Sequence, residues 1–115
     1  MTDCLFCKIV AGEIPSDPVF VSERSYAFRD LHPQAPTHVL IVPKEHVAAH
    51  AGELTGAHGD ALGDLFETAA TVATMEGIAE GGYRLVFNVG DDAGNTVPHL
   101  HLHVLGGRKL GWPPG

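Results

Sequence analysis

The strongest constraint in this sequence is the alternation of histidine with apolar residues over residues 99–105. Side chains alternate faces along a β-strand, so a strand here carries its histidines on one face and its apolar residues on the other. A lone histidine in such a place is most often exposed or satisfied within the core. Three in register would repel one another once protonated, so their shared face indicates a site in which the imidazoles stay neutral. These candidate site residues are His99, His101 and His103.

This row of imidazoles favours group-transfer chemistry over a single metal centre. At a rise of about 3.3 Å per residue, His99 and His103 stand roughly 13 Å apart along a strand. Ligand bonds to zinc are about 2 Å long, so only neighbouring histidines could share an ion. In phosphoryl or nucleotidyl transfer, one neutral ring can attack phosphorus while others donate to oxygen atoms or protonate a leaving group.

Length and charge narrow the class of protein. A chain of 115 residues, of which 44% are hydrophobic, is long enough for one core and predicts a single domain over residues 1–115. Its net charge of −7 disfavours duplex nucleic acid as a partner. No run reaches the roughly 18 apolar residues of a membrane helix, and the start lacks the basic and apolar regions of a secretory signal. We therefore expect a cytoplasmic protein that contacts no membrane.

The periodicity of the remaining sequence predicts an α+β fold. A short helix at residues 8–11 can end at Gly12, and a long helix follows Thr55, with apolar residues at offsets of three, four and seven. The simplest arrangement is an antiparallel five-stranded sheet with one long helix and a short amino-terminal helix. The predicted strands are residues 19–21, 25–30, 38–42, 83–88 and 99–105, and the apolar stripe of the long helix is Leu62, Leu65, Phe66, Ala69, Val72 and Ala73.

The two cysteines of the chain, Cys4 and Cys7, are separated by two residues. In a reducing compartment this spacing favours metal ligation or redox chemistry over a structural disulfide. A thioredoxin-like role needs a strand before the first cysteine, and only three residues precede Cys4 here. Two thiolates at this spacing supply half of a tetrahedral zinc site, whose other half would be two histidines. The alternative is a pair of free, buried cysteines.

The chain resembles the histidine triad superfamily, whose signature alternates three histidines with apolar residues and ends on two apolar residues. Residues 99–105 match every position of that signature. The resemblance is greatest to the Hint branch, which comprises homodimeric nucleotide-binding proteins that hydrolyse purine nucleoside phosphoramidates, such as adenosine 5′-monophosphoramidate, through a covalent nucleotidyl-histidine. It extends over nearly the whole chain, through residues 6–9, 12–15, 28–38, 42–46, 106–108 and 112–115.

The resemblance implies a catalytic role for the triad and its neighbours. It makes His101 the nucleophile on the α-phosphate, with its other ring nitrogen held by a backbone carbonyl. His103 and His38 match positions that line and support the site. Residues 94–97 match the family's phosphate loop, in which small residues let backbone N–H groups approach an anion and the Thr96 hydroxyl can donate to it. The residues of this loop are Gly94, Asn95, Thr96 and Val97, and Asn95 stands where many relatives carry glutamine.

The same resemblance implies a nucleotide pocket. Asp30 and Leu31 match a ribose-binding pair, and Asn88 matches a phosphate or ribose contact. A carboxylate after a strand can accept from both ribose hydroxyls, although capping the following turn would explain Asp30 nearly as well. The base pocket would be lined by apolar residues for which plain core packing is an equal alternative. These are Phe6, Ile9, Ile14 and Phe28.

Several bacterial relatives resemble this chain in a Cys and His zinc arrangement, whose histidines match His46 and His99. A zinc-bound His99 cannot also shuttle protons, so the acid for the leaving group would be Thr96, His103, His38 or water. The metal would then be structural and would fix the ring beside His101. The other histidines lie in polar, loop-like surroundings and are interpreted as solvated, without a role. They are His32, His50 and His58.

The end of the chain, residues 106–115, is expected to dock on a partner subunit. Trp112 followed by two prolines forms a stiff apolar segment that can dock with a small entropy cost. By resemblance this tail reaches the site of the second subunit of a homodimer. The alternative is a frayed terminus.

Two other functions share these features. Other branches of the superfamily use the same nucleophile to hydrolyse dinucleoside polyphosphates or to transfer nucleotides. The branch that transfers nucleotides to sugar phosphates usually replaces the third histidine with glutamine, and His103 is present here. The second possibility is a non-catalytic dimer that binds a nucleotide or a protein.

Overall fold

A central strand, β3 (Thr37–Pro43), is buried along its entire length in the computed structural model, which describes residues 4–115. Its β-branched and leucine side chains alternate between two apolar clusters, one on each face of the sheet. Four further strands flank it in the order β1-β2-β3-β5-β4, and every neighbouring pair is antiparallel. They are β1 (Pro18–Val21), β2 (Ser25–Arg29), β4 (Tyr83–Val86) and β5 (Leu102–Gly106).

Each face of the sheet is covered by one helix. The long helix α2 (Gly59–Met75) packs on the face that carries Val39 and Ile41. The short helix α1 (Leu5–Val10) supplies Phe6 and Ile9 to the opposite face, against Leu40. The predicted α+β fold, with an antiparallel five-stranded sheet, one long helix and a short amino-terminal helix, is confirmed. No helix of residues 4–115 has both the length and the apolar character needed to cross a bilayer.

The apolar stripe of α2 was predicted correctly except at Phe66. Leu65, Ala69, Val72 and Ala73 are buried, whereas the Phe66 side chain is 42% exposed. Successive helical residues turn by about 100°, so Phe66 falls at the margin of the stripe that Leu65 occupies. Its ring instead makes an edge contact with Phe87, with 6.2 Å between centroids.

Several element boundaries differ from the predicted ones, and local hydrogen bonds explain them. α1 starts at Leu5 rather than residue 8, because the Cys4 sulfur accepts from the Cys7 N–H and caps the helix. α2 starts at Gly59, after 3-10 turns at Ala51–Glu53 and Gly56–His58. β4 ends at Val86, two residues before the predicted end.

β5 begins at Leu102, three residues later than predicted. The His99 N–H donates to the Val97 carbonyl and the Leu100 N–H to the Ala48 carbonyl, neither of which belongs to a neighbouring strand. The segment before Leu102 is nevertheless extended enough to keep the alternation of side chains, since Leu100 packs in the same cluster as Leu102.

His50 and His58 do have local structural roles, which the sequence interpretation missed. The His50 Nδ1 atom accepts from the Gly52 N–H at 3.1 Å. The His58 Nδ1 atom accepts from the Thr55 N–H at 2.9 Å and completes a capping box. Both rings therefore satisfy N–H groups at the starts of short turns, which is a function that asparagine or serine more often performs.

Candidate active site

The three histidines of the triad lie on one side of the β5 segment, as the alternation predicts. Leu100, Leu102 and Val104 point into the cluster beneath α2. His99 is fully buried on the opposite side, and His101 and His103 are half-buried there, with 5.2 Å between their ring centroids. The histidines thus form a row beside α1, whose Phe6 makes edge contacts with the first two rings.

His101 is held as a neutral ring with one nitrogen free. Its Nδ1 atom lies 2.8 Å from the His99 carbonyl oxygen, and because a carbonyl only accepts, Nδ1 carries the proton. The Nε2 atom therefore has a lone pair available for attack. Burial is the main cause that lowers the pKa of His101, which keeps the ring unprotonated at neutral pH. An edge contact with Phe6, at 5.0 Å between centroids, fixes the tilt of the ring.

His38 and His103 form a second ordered pair. The backbone N–H of Gln34 donates to His38 Nδ1 at 3.0 Å, so a neutral His38 carries its proton on Nε2. That atom lies 2.9 Å from His103 Nδ1, which must then accept, and the His103 proton is placed on Nε2. Burial lowers the pKa of both rings, and for His103 to about 4. The pair thus presents His103 as a neutral N–H donor.

We expect nuclear magnetic resonance titration to show that His103 stays neutral down to about pH 5. Burial is the largest cause of its lowered pKa of about 4, followed by the nearby His101 and His38, while Asp30 acts in the opposite direction. An unfolded histidine titrates near 6.5, so the unfolded chain binds the additional proton first as the pH falls. Stability contributed by this ring is therefore present above about pH 6.5 and is lost towards pH 4. A His103 ring that titrates near 6.5 in the folded protein would contradict this assignment.

Asp30 lies beside this pair and also caps a turn. Its Oδ1 atom accepts from the His32 N–H at 2.8 Å, and its Oδ2 atom lies 3.4 Å from His38 Nε2. Asp30, His38 and His103 are close enough to hold a metal ion. However, an ion on His38 Nε2 would displace its proton while Nδ1 accepts from Gln34, which would leave the ring as an imidazolate. The hydrogen bonds therefore favour a proton-ordered pair over a metal site.

The cysteine pair forms a separate cluster with His46 and His99, and their candidate ligand atoms all lie within 4.8 Å of one another. The His99 Nδ1 atom lies 3.1 Å from the Cys4 sulfur and 3.6 Å from the Cys7 sulfur. His46 Nδ1 lies 3.7 Å from the Cys7 sulfur. α1 brings the two sulfurs together, and the segments after β3 and before β5 supply the two rings.

This cluster fits a tetrahedral zinc ion. With bonds of about 2.3 Å to sulfur and 2.0 Å to nitrogen, ligand sulfur and nitrogen atoms stand about 3.5 Å apart, close to the distances found here. The other nitrogen of His99, Nε2, lies 3.0 Å from the Pro43 carbonyl and must donate to it. His99 Nδ1 therefore presents a lone pair to the cluster, which is the form that a metal ligand needs.

The residues of the expected base pocket are largely buried. Phe6, Ile9 and Phe28 are at most 8% exposed and form a cluster beneath the histidine row, as the core-packing alternative predicts. Ile14 is partly buried at the margin of that cluster. Of the ribose and phosphate candidates, Leu31 is 85% exposed and Asn88 is half-buried.

The expected phosphate loop follows a 3-10 turn at Asp91–Ala93. Gly94 ends this turn with a φ of +81°, a conformation that favours glycine. Thr96 is exposed, and Val97 packs at the margin of the cluster that contains Phe6. The amide oxygen of Asn95 is buried without a hydrogen-bond partner among residues 4–115.

The tail runs along the end of the sheet and leaves its tryptophan uncovered. The Arg84 guanidinium donates to the Gly111 carbonyl at 2.8 Å, and Trp112 is 83% exposed. In the row of histidines, His101 and His103 are partly accessible in the single chain, and His99 is fully buried.

Sequence reasoning expected a carbonyl at the His101 ring but did not say which one, and it missed the other main-chain groups that order these rings. The carbonyls of His99 and Pro43 and the N–H of Gln34 fix three of the imidazoles, and no residue type encodes a backbone group. Arg108, which contacts the Gln34 carbonyl, is visible in the sequence but carries no signal that would connect it with that loop.

A row of three histidines, with its central ring neutral and one nitrogen free to attack, defines a site of the histidine triad type. The chain belongs to the HIT domain family, which it matches over residues 11–110.

Relatives and solved structures resemble the chain over nearly its full length. Purine nucleoside phosphoramidase from Escherichia coli K12 is 46% identical over 109 residues, which are 95% of this chain and 91% of that protein. A 14 kDa zinc-binding protein from Zea mays is 46% identical and covers 96% of this chain and 87% of its own. The crystal structure of a HIT family hydrolase from Legionella pneumophila superposes with a TM-score of 0.94, at 50% identity and 98% and 100% coverage.

Proposed function

We propose that this protein hydrolyses purine nucleoside 5′-phosphoramidates through a covalent nucleotidyl intermediate on His101. The observation that carries the proposal is the hydrogen bond from His101 Nδ1 to the His99 carbonyl, which leaves Nε2 unprotonated on a partly accessible ring. The similarity to an E. coli phosphoramidase supports the substrate class. A net charge of −7 makes a small nucleotide a more suitable anionic partner than duplex nucleic acid.

In the proposed reaction, His101 Nε2 attacks the α-phosphorus and forms a phosphorus–nitrogen bond to the ring. The bond from phosphorus to the amine breaks, and the amine leaves with the bonding electron pair and takes up a proton. Water then attacks phosphorus, releases AMP or another nucleoside monophosphate, and restores the free ring. Detection of a base-stable nucleotidyl adduct by mass spectrometry during turnover, together with release of AMP, tests this sequence.

The neighbouring rings have distinct roles in this proposal. His103, as a neutral donor with a pKa of about 4, suits a hydrogen bond to a phosphoryl oxygen and is a poor source of a full proton. His38 orders His103 through their 2.9 Å contact. The proton that the leaving amine takes up would then come from Thr96 or from water.

We propose that Cys4, Cys7, His46 and His99 hold a structural zinc ion. The distances among their sulfur and nitrogen atoms, the free lone pair of His99 Nδ1 and the similarity to a zinc-binding protein of Zea mays support this assignment. Zinc would fix the start of the catalytic segment, because the His99 carbonyl that orients His101 belongs to a ligand residue. Thiol ligands also suit the reducing cytoplasm, where we place the protein.

We propose a homodimer in which residues 106–115 of each subunit cover the site of the other. The partial accessibility of His101 and His103 and the exposed Trp112 support this arrangement. A partner subunit that removes the large apolar indole of Trp112 from water would stabilise the docked tail.

Because Trp112 is the one tryptophan of the chain, its fluorescence reports the tail directly. In the dimer we expect blue-shifted emission and weak quenching by iodide, both of which reverse on dilution to a monomer. Deletion of residues 111–115 should leave the dimer intact in sedimentation and lower kcat/KM about tenfold. Monomeric behaviour at micromolar concentration, or solvent-exposed emission in the dimer, would contradict the docked tail.

A further inference from the structure

The end of β5 contacts the loop that connects β2 to β3. The Arg108 guanidinium donates through one NH2 group to the Gln34 carbonyl at 2.9 Å and through the other to the Lys109 carbonyl at 3.0 Å. These two bonds tie the residues after the catalytic strand to the loop before His38. The planar guanidinium can make both bonds at once, which a compact ammonium cannot do in the same geometry.

The residue before this arginine brings the two segments into close contact. Gly107 has a φ of +91°, and a Cβ atom there would lie 2.9 Å from the Pro36 Cβ. The backbone therefore approaches the loop more closely than a side chain would allow. Gln34 also donates its side-chain NH2 to the His32 carbonyl at 3.0 Å. Gln34 is thus held from both sides, although it is itself exposed.

The backbone N–H of Gln34 begins a chain of hydrogen bonds that ends in the triad. It donates to His38 Nδ1, and His38 Nε2 in turn faces His103 Nδ1. If the Gln34 N–H moved away, His38 could carry its proton on Nδ1, and its Nε2 atom would then accept from His103. His103 would lose its Nε2 proton and would present a lone pair in place of a donor.

We propose that Arg108 is a positioning residue that sets the proton arrangement of His38 and His103. It acts through Gln34, because the guanidinium holds the carbonyl side of this residue while the N–H side fixes the His38 tautomer. The catalytic consequence rests on the proposed phosphoramidase function, since a bare His103 Nε2 would repel an anionic phosphoryl oxygen. The effect on the tautomers is independent of any substrate.

The direct test is proton-detected nitrogen-15 spectroscopy of the imidazoles at pH 7 in the substrate-free protein. Wild type should show His38 and His103 almost entirely in the Nε2–H form, with a small Nδ1–H population as the reference. In Arg108→Ala the population of the Nδ1–H form of His38 should rise at least tenfold, and His103 should follow. Arg108→Lys, which can still donate one bond to the Gln34 carbonyl, should restore part of the wild-type spectrum.

Arg24→Ala is the matched control, because Arg24 is exposed and its removal changes the net charge equally. It should leave both tautomers unchanged. With adenosine 5′-phosphoramidate, Arg108→Ala should lower kcat about tenfold with KM within about twofold. The proposal is overturned if Arg108→Ala keeps the wild-type spectrum in full. Should Arg108→Ala not fold, the same criterion applies to Arg108→Lys. If Arg108→Ala changes the spectrum as expected but the wild-type protein releases no AMP, the positioning role is supported and the proposed phosphoramidase function is removed.

Discussion

Replacement of His101 by asparagine should lower kcat/KM for adenosine 5′-phosphoramidate by about 10⁴-fold or more. The substitution removes the nucleophile, and loss of a nucleophile in covalent catalysis typically costs 10⁴ to 10⁶ in rate. Asparagine can still donate a hydrogen bond to the His99 carbonyl, which holds the ring in the wild type at 2.8 Å. The backbone of β5 should therefore keep its place. AMP release and the nucleotidyl adduct should be lost together.

His58→Gln is the matched control for this experiment. His58 lies at the start of α2, outside the histidine row, and glutamine keeps an acceptor for the Thr55 N–H. Its activity should stay within about twofold of wild type, with at most a small loss of thermal stability. Residual turnover of His101→Asn above about one hundredth of wild type would mean that another group attacks phosphorus. Wild type without adduct or AMP would favour the nucleotide-binding dimer over the enzyme.

Removal of zinc should lower the melting temperature by about 10 to 20 °C. A ligand present at roughly 1,000 times its dissociation constant stabilises the folded state by about 4 kcal/mol, and each kcal/mol shifts the midpoint of a domain of this size by about 4 °C. Cys4→Ser isolates the metal contribution, because a serine oxygen can replace the sulfur as the cap of α1. We expect about one zinc per chain in wild type and less than about one tenth in this variant. Zinc content is measured by inductively coupled plasma mass spectrometry and the melting temperature by differential scanning calorimetry.

Two comparisons separate the metal from a general effect of mutation. His50→Gln, which alters a histidine four residues after His46, should retain full zinc content. A chelator should lower the melting temperature of wild type and leave that of Cys4→Ser unchanged. A zinc content near zero in wild type purified under reducing conditions with added zinc would eliminate the four-ligand site.

The fold could be predicted from sequence because its signals are local. Alternation identified β5, a continuous β-branched apolar run identified β3, and the spacing of Leu65, Ala69 and Val72 identified α2. Boundaries were less accurate where side chains cap a turn, as Cys4 and Thr55 do, because a cap is recognised by geometry and not by residue type alone. Phe66 was misplaced because an apolar residue at the margin of a stripe can face either way.

The candidate site was predictable in its composition but, apart from a backbone carbonyl at the His101 ring, not in its internal order. The alternating histidines and the spacing of the two cysteines can be read directly from the sequence. Their tautomers depend on the carbonyls of His99 and Pro43 and on the N–H of Gln34, all of which arise from the folded path of the backbone. His99 lies with the two cysteines and His46, whereas His103 pairs with His38, and both groupings likewise follow from contacts between distant segments.

The cluster of Cys4, Cys7, His46 and His99 joins segments that lie far apart in the sequence, since Cys4 and His99 are separated by 95 positions. α1 packs on Phe28, Leu40 and Val42, which are much nearer to it in the sequence than His99 is. The cost of closing a loop rises with its length, so the contact between Cys4 and His99 should form after α1 has packed on β2 and β3. In a chain truncated before His99, the Cys4 thiol should then react with an alkylating reagent from which the folded protein shields it.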